Sequence, residues 1–409
     1  MNRKLDSYSS RHVVTDSKPP RMSATKPYRD HDADRAFKQK PASLLSDLFV
    51  LEVANNHWGS LDRGLEIVQQ FSQVVRDNHV KAAIKIQLRD VDTFIHPEHL
   101  KLGHDQRVAD LTGKPRYIQK TRRTQLRQDE VRELVRVIND SGCIPLATAF
   151  DEKSVDFLEE LEMPAIKLAS SDLKDWGLVE RCAETGKPVI VSTGGHTIDD
   201  VVEVVDFFAR HNVEIAINTC VSNYPTEDSD LHLDHIDLLK RMFPEKVIGL
   251  SSHEYGDWHS SMLISYAKGA RTWERHVDIP YPDGHEQAKP SPYCSLPSQV
   301  DLWFKAYHKA REMCGHVGDK GREIGQQEVD YLNALTRGAY FARDVRRGEI
   351  LNRDDFFFAI PLQIEMGQLS SGATIKATWY ATKDSTKNSP VTAEAVDQWS
   401  GQWPSTAAE

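Results

Sequence analysis

The sequence predicts an α/β fold, a (β/α)8 TIM barrel, and three observations carry that reading. Short, mostly apolar stretches alternate with segments of helical spacing. The alternation repeats eight times in about 270 of the 409 residues, the length such a barrel needs. Polar side chains then recur where each apolar stretch ends, which is the face on which a barrel of this kind builds its active site.

The elements follow in order. Asp47–Val53 reads as a buried strand, and residues 60–78 carry Leu61, Leu65, Val68, Phe71 and Val75 at helical spacing. Val80–Leu88 is the second strand. An insertion follows at 89–127, rich in His, Lys and Arg. A loop of that length is either a functional lid or a solvated basic segment. Strands then fall at 144–148, 165–170, 188–193, 213–220, 247–252 and 271–277. Helices fall at 127–141, 153–162, 175–186, 197–211, 231–243 and 257–268, and one from about 297 to 314 closes the series. Parallel strands buried on both faces read as such near-continuous apolar runs. The barrel domain spans 45–318. Residues 1–44 are polar and without apolar period, and read as a loosely ordered extension. Trp58, Trp176, Trp258 and Trp273 read as core.

Composition excludes several classes. A net charge of −10 argues against nucleic acid and anionic membrane surfaces as partners. No apolar run reaches the roughly 20 residues of a membrane span. The first residues carry no apolar segment of a secretory signal. Cys143, Cys182, Cys220, Cys294 and Cys314 are odd in number and unpaired in spacing, as expected of reduced thiols in a cytoplasmic protein. Cys220 reads as a small buried hydrophobe or as a site-lining residue.

Glu52 stands at strand one, Lys85 and Gln87 at two, Thr148 at three, Lys167 and Ser170 at four. Ser192 and Thr193 stand at five, Asn218, Ser222 and Tyr224 at six, Ser251 and His253 at seven, Glu274 and His276 at eight. Two histidines on adjacent strand ends suit one divalent metal. Two lysines in a barrel mouth require an acid or an anionic ligand, because an unpaired buried cation is costly. Ser192-Thr193-Gly194-Gly195 suits an oxyanion at a helix start, although a helix N-cap with a tight turn explains it equally well. Together these suggest a phosphorylated, anionic substrate, with Glu52 and Glu274 available for acid–base work. A Schiff-base lysine at Lys85 or Lys167 is the alternative chemistry.

Several segments resemble one family in serial order. Leu51-Glu-Val-Ala-Asn-Asn-His-Trp-Gly59 resembles its first-strand motif A-E-I-G-x-N-H-x-G, and Ile84-Lys-Ile-Gln87 resembles K-F-Q. Thr148-Ala-Phe-Asp151 resembles T-P-F-D, and Ala165–Ser171 resembles its K-I-A-S segment. Lys187–Gly194, Cys220–Thr226, Ser251-Ser-His253 and Glu274-Arg-His276 follow. The chain thus resembles the N-acetylneuraminate (sialic acid) synthase family over residues 47–315. Residues 337–356 resemble the antifreeze-like (SAF) domain that follows the barrel in that family, placing a SAF-like domain at 330–382 and a flexible tail at 383–409.

The resemblance implies condensation of phosphoenolpyruvate with an open-chain aldose, of the N-acetylmannosamine type or related, to a 2-keto-3-deoxy nonulosonic-type acid and phosphate. It implies Glu52, Lys85 and Glu274 as catalytic residues, and His253 and His276 as ligands of a divalent metal, Mn2+ or Mg2+. It implies substrate contacts from Gln87, Thr148, Lys167, Ser170, Ser192, Ser222, Tyr224 and Ser251. It further implies a homodimer in which the small domain reaches over the partner's active site. The chain departs from the family at Ser252 and Ser222, where an aspartate and an asparagine are expected, and at Ala359-Ile-Pro361, which replaces K-R-P. Asp283 or His285 stands where an aspartate would contact sugar hydroxyls. A non-catalytic barrel-derived binding protein is the reading those departures favour, against the intact charged set.

Overall fold

The computed structural model describes residues 43–100, 116–285, 287, 289–315, 321, 322 and 324–401. The expected extension over 1–44 lies outside them up to residue 42, as does the insertion between 101 and 115. The chain divides into two compact units at Cys314/Gly315.

The first unit is a closed barrel of eight parallel strands in sequence order. They are β1 (Leu48–Ala54), β2 (Ala82–Leu88), β3 (Ile144–Ala149), β4 (Ile166–Leu168), β5 (Val189–Ser192), β6 (Ile215–Cys220), β7 (Val247–Ser252) and β8 (Thr272–His276). Helix α1 (Leu61–Asn78) follows β1, and α2 (Arg116–Arg123) belongs to the insertion. Then come α3 (Gln128–Asp140), α4 (Glu152–Glu160), α5 (Trp176–Glu184), α6 (Ile198–Arg210), α7 (Asp234–Met242), α8 (Ser260–Lys268) and α9 (Pro297–Cys314). Their starts are written in local chemistry: Ser60, Asp151 and Thr197 each accept a backbone N–H of the first turn.

The two-residue period of the strands sorts the barrel interior by height. Leu48, Val50, Ala83, Leu146, Ala165, Ile190, Ala216 and Val247 form one apolar cluster. One or two steps further along the same strand faces stand Glu52, Lys85, Thr148, Lys167, Ser192, Asn218 and Ser251. Hydrocarbon plugs the lower barrel and polar groups crowd its C-terminal end. The alternate residues, such as Phe49, Leu51 and Val53, face the helices and join the large outer core. Trp273 belongs to that core, while Trp58 is half-buried on the loop after β1 and not a core residue. Among the described residues no helix is long and apolar enough to cross a membrane.

The second unit holds helix α10 (Gln326–Leu335) and two small antiparallel sheets. One pairs β9 (Gly338–Phe341) with β11 (Phe356–Ala359); the other orders β10 (Ile350–Leu351), β12 (Trp379–Ala381) and β13 (Val396–Gln398). The expectation of a flexible tail from 383 is corrected here. β13 pairs with β12, and Val391, Ala395 and Val396 are buried in this unit's own core. Three small apolar residues set among polar ones without a regular period give almost no signal, so the sequence reads as polar.

Candidate functional site

Strand register assembles the site. Glu52 lies beside Lys85 on one side and His276 on the other. Thr148 pairs with Lys167, Ser192 with Asn218, Cys220 with Ser251, and Ser251 with Glu274. In-register neighbours share a face, so these side chains, except the fully buried Asn218, converge on one cavity at the C-terminal barrel end. Its volume is about 610 Å³, ample for a small-molecule ligand. Glu52, Lys85, Gln87, Thr148, Lys167, Ser170, Ser192, Ser222, Tyr224, Ser251, His253, Glu274 and His276 all line it.

The floor holds two lysines, each about 2% exposed, in unlike company. The Lys85 ammonium contacts Glu52, donates to Thr148 Oγ1 at 2.7 Å, and stands 3.6 Å from Glu274. Burial pushes its pKa down, and Glu274 opposes that. Lys167 donates to Ser192 Oγ at 2.7 Å and to the Leu168 carbonyl at 2.8 Å. Glu52 and Glu274 are the two carboxylates among the described lining residues, and both face Lys85. Of the three N–H donors of Lys167, two are taken by the Ser192 hydroxyl and the Leu168 carbonyl, and among the described residues no carboxylate makes an ion-pair contact with it, although the buried Asp172 carboxyl feels its charge.

The wall beside Lys167 is built around Gly194. Its N–H donates to Ser170 Oγ at 3.0 Å. A Cβ there would fall 2.1 Å from Ser222 Oγ and 2.9 Å from Ser170 Oγ, so no larger residue fits while the two hydroxyls stay in place. His196 locks the turn through the Ser170 carbonyl at 2.6 Å.

On the opposite wall the His253 and His276 rings lie 5.4 Å apart between centroids. Burial holds both pKa values below the ordinary imidazole range, His276 furthest, and the charges of His253 and Lys85 lower it more. Neutral imidazoles are what a metal needs. His253 Nδ1 faces the Val221 carbonyl at 3.0 Å, which leaves Nε2 for a ligand. Glu274 Oε2 is buried without a hydrogen-bond partner. Two imidazoles and a carboxylate oxygen fit a divalent ion such as Mn2+ or Mg2+ in kind. Among the described residues no three His, Cys, Asp or Glu side chains gather closely enough to hold a metal unaided, so oxygens of substrate or water would complete the shell. Behind the histidines, Arg275 and Glu254 form a fully buried ion pair at 2.7 Å.

One expected contact is not brought in. Asp283 is exposed in the turn after β8 and is absent from the cavity lining. The loop instead turns Tyr281 and His285 onto each other, with centroids 4.6 Å apart, and His285 against Trp58. Other lining residues had little signal in the sequence. Tyr293 stands edge-on to Tyr224 and His276, at 5.3 Å from each. Arg89 donates to Gln87 at 3.0 Å and lies 3.6 Å over the Phe150 ring. Asn55, Asn56, His196 and, from the insertion, Lys120 and Thr121 also line the cavity. Cys220 is both buried and site-lining, and burial raises its thiol pKa. His57 lies outside this cavity and anchors the first loop by accepting from the Gly59 N–H at 3.1 Å.

The family model described as NeuB family matches residues 78–312. Human N-acetylneuraminate-9-phosphate synthase is 27% identical over 56% of this chain and 61% of its own length. Pseudaminic acid synthase of Campylobacter jejuni is 25% identical over 75% of this chain and 84% of its own. The crystal structure of a Chromobacterium violaceum protein described as spore coat polysaccharide biosynthesis protein E superposes with a TM-score of 0.77 at 31% identity. It covers 86% of this chain and 99% of that one.

Proposed function

This chain belongs to the NeuB family, and from that premise we propose that it condenses phosphoenolpyruvate with the open-chain aldehyde of an aldose. The products are a 2-keto-3-deoxy sugar acid and inorganic phosphate. The acceptor class is an N-acetylmannosamine-type or related aldose. The observation that supports the reading is the pair of buried lysines, one in contact with carboxylates and one with no carboxylate in ion-pair contact among the described residues.

Lys167, with Ser192 and Ser170 beside it, takes the anionic end of phosphoenolpyruvate. Thr148, Ser251 and Tyr224 add hydroxyls on either side. Glu52 orients the water that adds to C2 and moves its proton, while Lys85 keeps the carboxylate charged and aimed. Gln87 and Glu274 face the sugar. In the balanced reaction, water oxygen bonds to C2, C3 bonds to the aldehyde carbon, the C2–phosphate oxygen bond breaks, and the two water protons go one to the aldehyde oxygen and one to the departing phosphate. His253 and His276 would hold a divalent ion, which when bound polarises a carbonyl oxygen. The same reading carries a SAF-like role for the second unit, a homodimer and a cytoplasmic setting.

Phosphate release from phosphoenolpyruvate tests it, run with a panel of aldoses, acetylated and not, with Mn2+, Mg2+ or chelator. Sugar-dependent release abolished in Glu52→Gln is the expected result. Borohydride trapping of a lysine with no phosphate release would replace the synthase with a Schiff-base aldolase.

A further inference from the structure

One side chain ties together the two loops that flank the β1–β8 side of the cavity. Arg63, in the first turn of α1, has a side chain only 10% exposed. Its Nε donates to the Asn56 carbonyl at 2.7 Å. Its Nη2 donates to Asp278 Oδ1 at 2.7 Å and to the Ile279 carbonyl at 2.8 Å, and Nη1 to the Pro280 carbonyl at 3.2 Å. The guanidinium carbon lies 3.9 Å from the Tyr281 ring centroid. The Tyr281 hydroxyl donates to Asp278 Oδ2 at 2.8 Å and accepts from Trp58 Nε1 at 2.9 Å. Asn56 Nδ2 closes the circuit by donating to the Val277 carbonyl at 2.9 Å. A rigid five-donor fork is the group suited to hold several acceptors at once.

The loop so held is not one that would rest there unaided. Ala54 and Trp58 both have left-handed backbone, with φ of 50° and 52°, and side chains there persist only where the surroundings over-determine them. The loop also carries function. Asn55 and Asn56 line the cavity, and His276 stands two residues before Asp278. The returning end of the insertion rests on the same loop. Lys120 Nζ lies 5.1 Å from the Trp58 ring centroid, and a Cβ on Gly59 would meet the Arg123 carbonyl at 2.7 Å.

We propose that Arg63 is a positioning residue for the acceptor side of the cavity. Through Asn56, Trp58 and Asp278 it fixes the rim where the sugar is held. The anion-binding side on β3 to β5, around Lys167, lies outside its network. This rests on the synthase reading above.

The test uses the full chain carrying Arg63→Met, Arg63→Lys or Asp278→Asn. Arg63→Met raises the aldose KM by about tenfold or more, since small misplacements of a bound reactant are costly, and leaves the phosphoenolpyruvate KM within about twofold. Arg63→Lys keeps a cation beside Asp278 but lacks the fork, and so recovers only part of the loss. Asp278→Asn shifts the same KM in the same direction. Amide hydrogen exchange supplies a readout that needs no substrate. In Arg63→Met it accelerates at 54–59, 120–124 and 277–281 and stays unchanged on β3 to β5. Equal rises in both KM values, no rise in either, or unchanged exchange at those loops overturns the proposal. If the wild type releases no phosphate with any aldose, the synthase reading fails, and the exchange experiment still decides the clamp.

Discussion

The two sides of the barrel mouth handle charge in opposite ways. On the β1–β2–β8 side, Lys85 is surrounded by Glu52, Glu274 and Thr148. That cluster holds its counter-charge in contact, with carboxylate in excess, before any ligand arrives. On the β4–β5 side, Lys167 has a hydroxyl and a carbonyl in hydrogen-bond contact and feels the Asp172 carboxyl only through the field. A buried cation with no anion in contact is destabilised until one joins it. The difference teaches which side carries its counter-charge in contact and which leaves room for one.

The sharpest break in that comparison is Glu52→Gln, which keeps the shape and removes the charge. Aldose-dependent phosphate release should fall about 10³-fold, within the usual span for losing a general acid or base, while phosphoenolpyruvate binding by calorimetry persists. The next largest effect is on stability. Lys85→Met strands two buried carboxylates and should cost about 3–5 kcal/mol in urea unfolding, the usual result of removing one partner of a buried pair. Lys167→Met should cost the free protein far less than Lys85→Met, because it breaks no ion-pair contact, yet weaken phosphoenolpyruvate binding by about 100-fold. Equal stability losses in the two lysine variants would erase the distinction between the sides.

Acid separates the sides further. Burial lowers the His57 pKa to about 4, against an ordinary 6.5. The unfolded chain therefore takes up that proton first. The contribution of His57 to stability is complete above about pH 6.5 and is lost as pH falls toward 4. The loss amounts to about 2–3 kcal/mol, and the melting-temperature profile of His57→Asn should be flatter over that range. Asp172, behind the β4 side, behaves oppositely. Burial raises its carboxyl pKa to about 6, against an ordinary 3.8, and Oδ2 has no hydrogen-bond partner. Its contribution is fully present below about pH 3.8 and is lost as pH rises through 6. Asp172→Asn should stabilise the protein by about 1–2 kcal/mol at pH 7.5 and by nothing near pH 4.

How much of this was legible in the sequence follows the same division of causes. Leu48, Val50 and Glu52 announce a strand, its inward face and its polar cavity end in five residues, because a strand's period of two is short and strict. The same holds for Ala165-Ile-Lys167 and for Thr272-Trp-Glu274. Residues brought by loops have no such period. Tyr293 reaches the cavity from the segment before α9, and Arg63 acts from a helix surface where an arginine looks like ordinary solvated polarity. Asp283 misled in the other direction. The resemblance suggested it as the stand-in for a sugar-contacting aspartate, but Tyr281 and His285 stack and Asp283 is left exposed outside the cavity lining. The ordered β13 was hidden for a related reason, since two-sided polar strands in small sheets advertise little.

Gly59 gives the returning end of the insertion a fixed landing on the barrel. The chain leaves after β2 and returns with the Arg123 carbonyl pressed where any side chain at position 59 would have to be. A loop moored at its far end in this way can be lengthened, shortened or rewritten between its moorings without disturbing the barrel beneath. The architecture therefore separates two rates of evolutionary change. The cavity floor is bound to strand register and tolerates little, while a segment held at its return by Gly59 answers to fewer constraints.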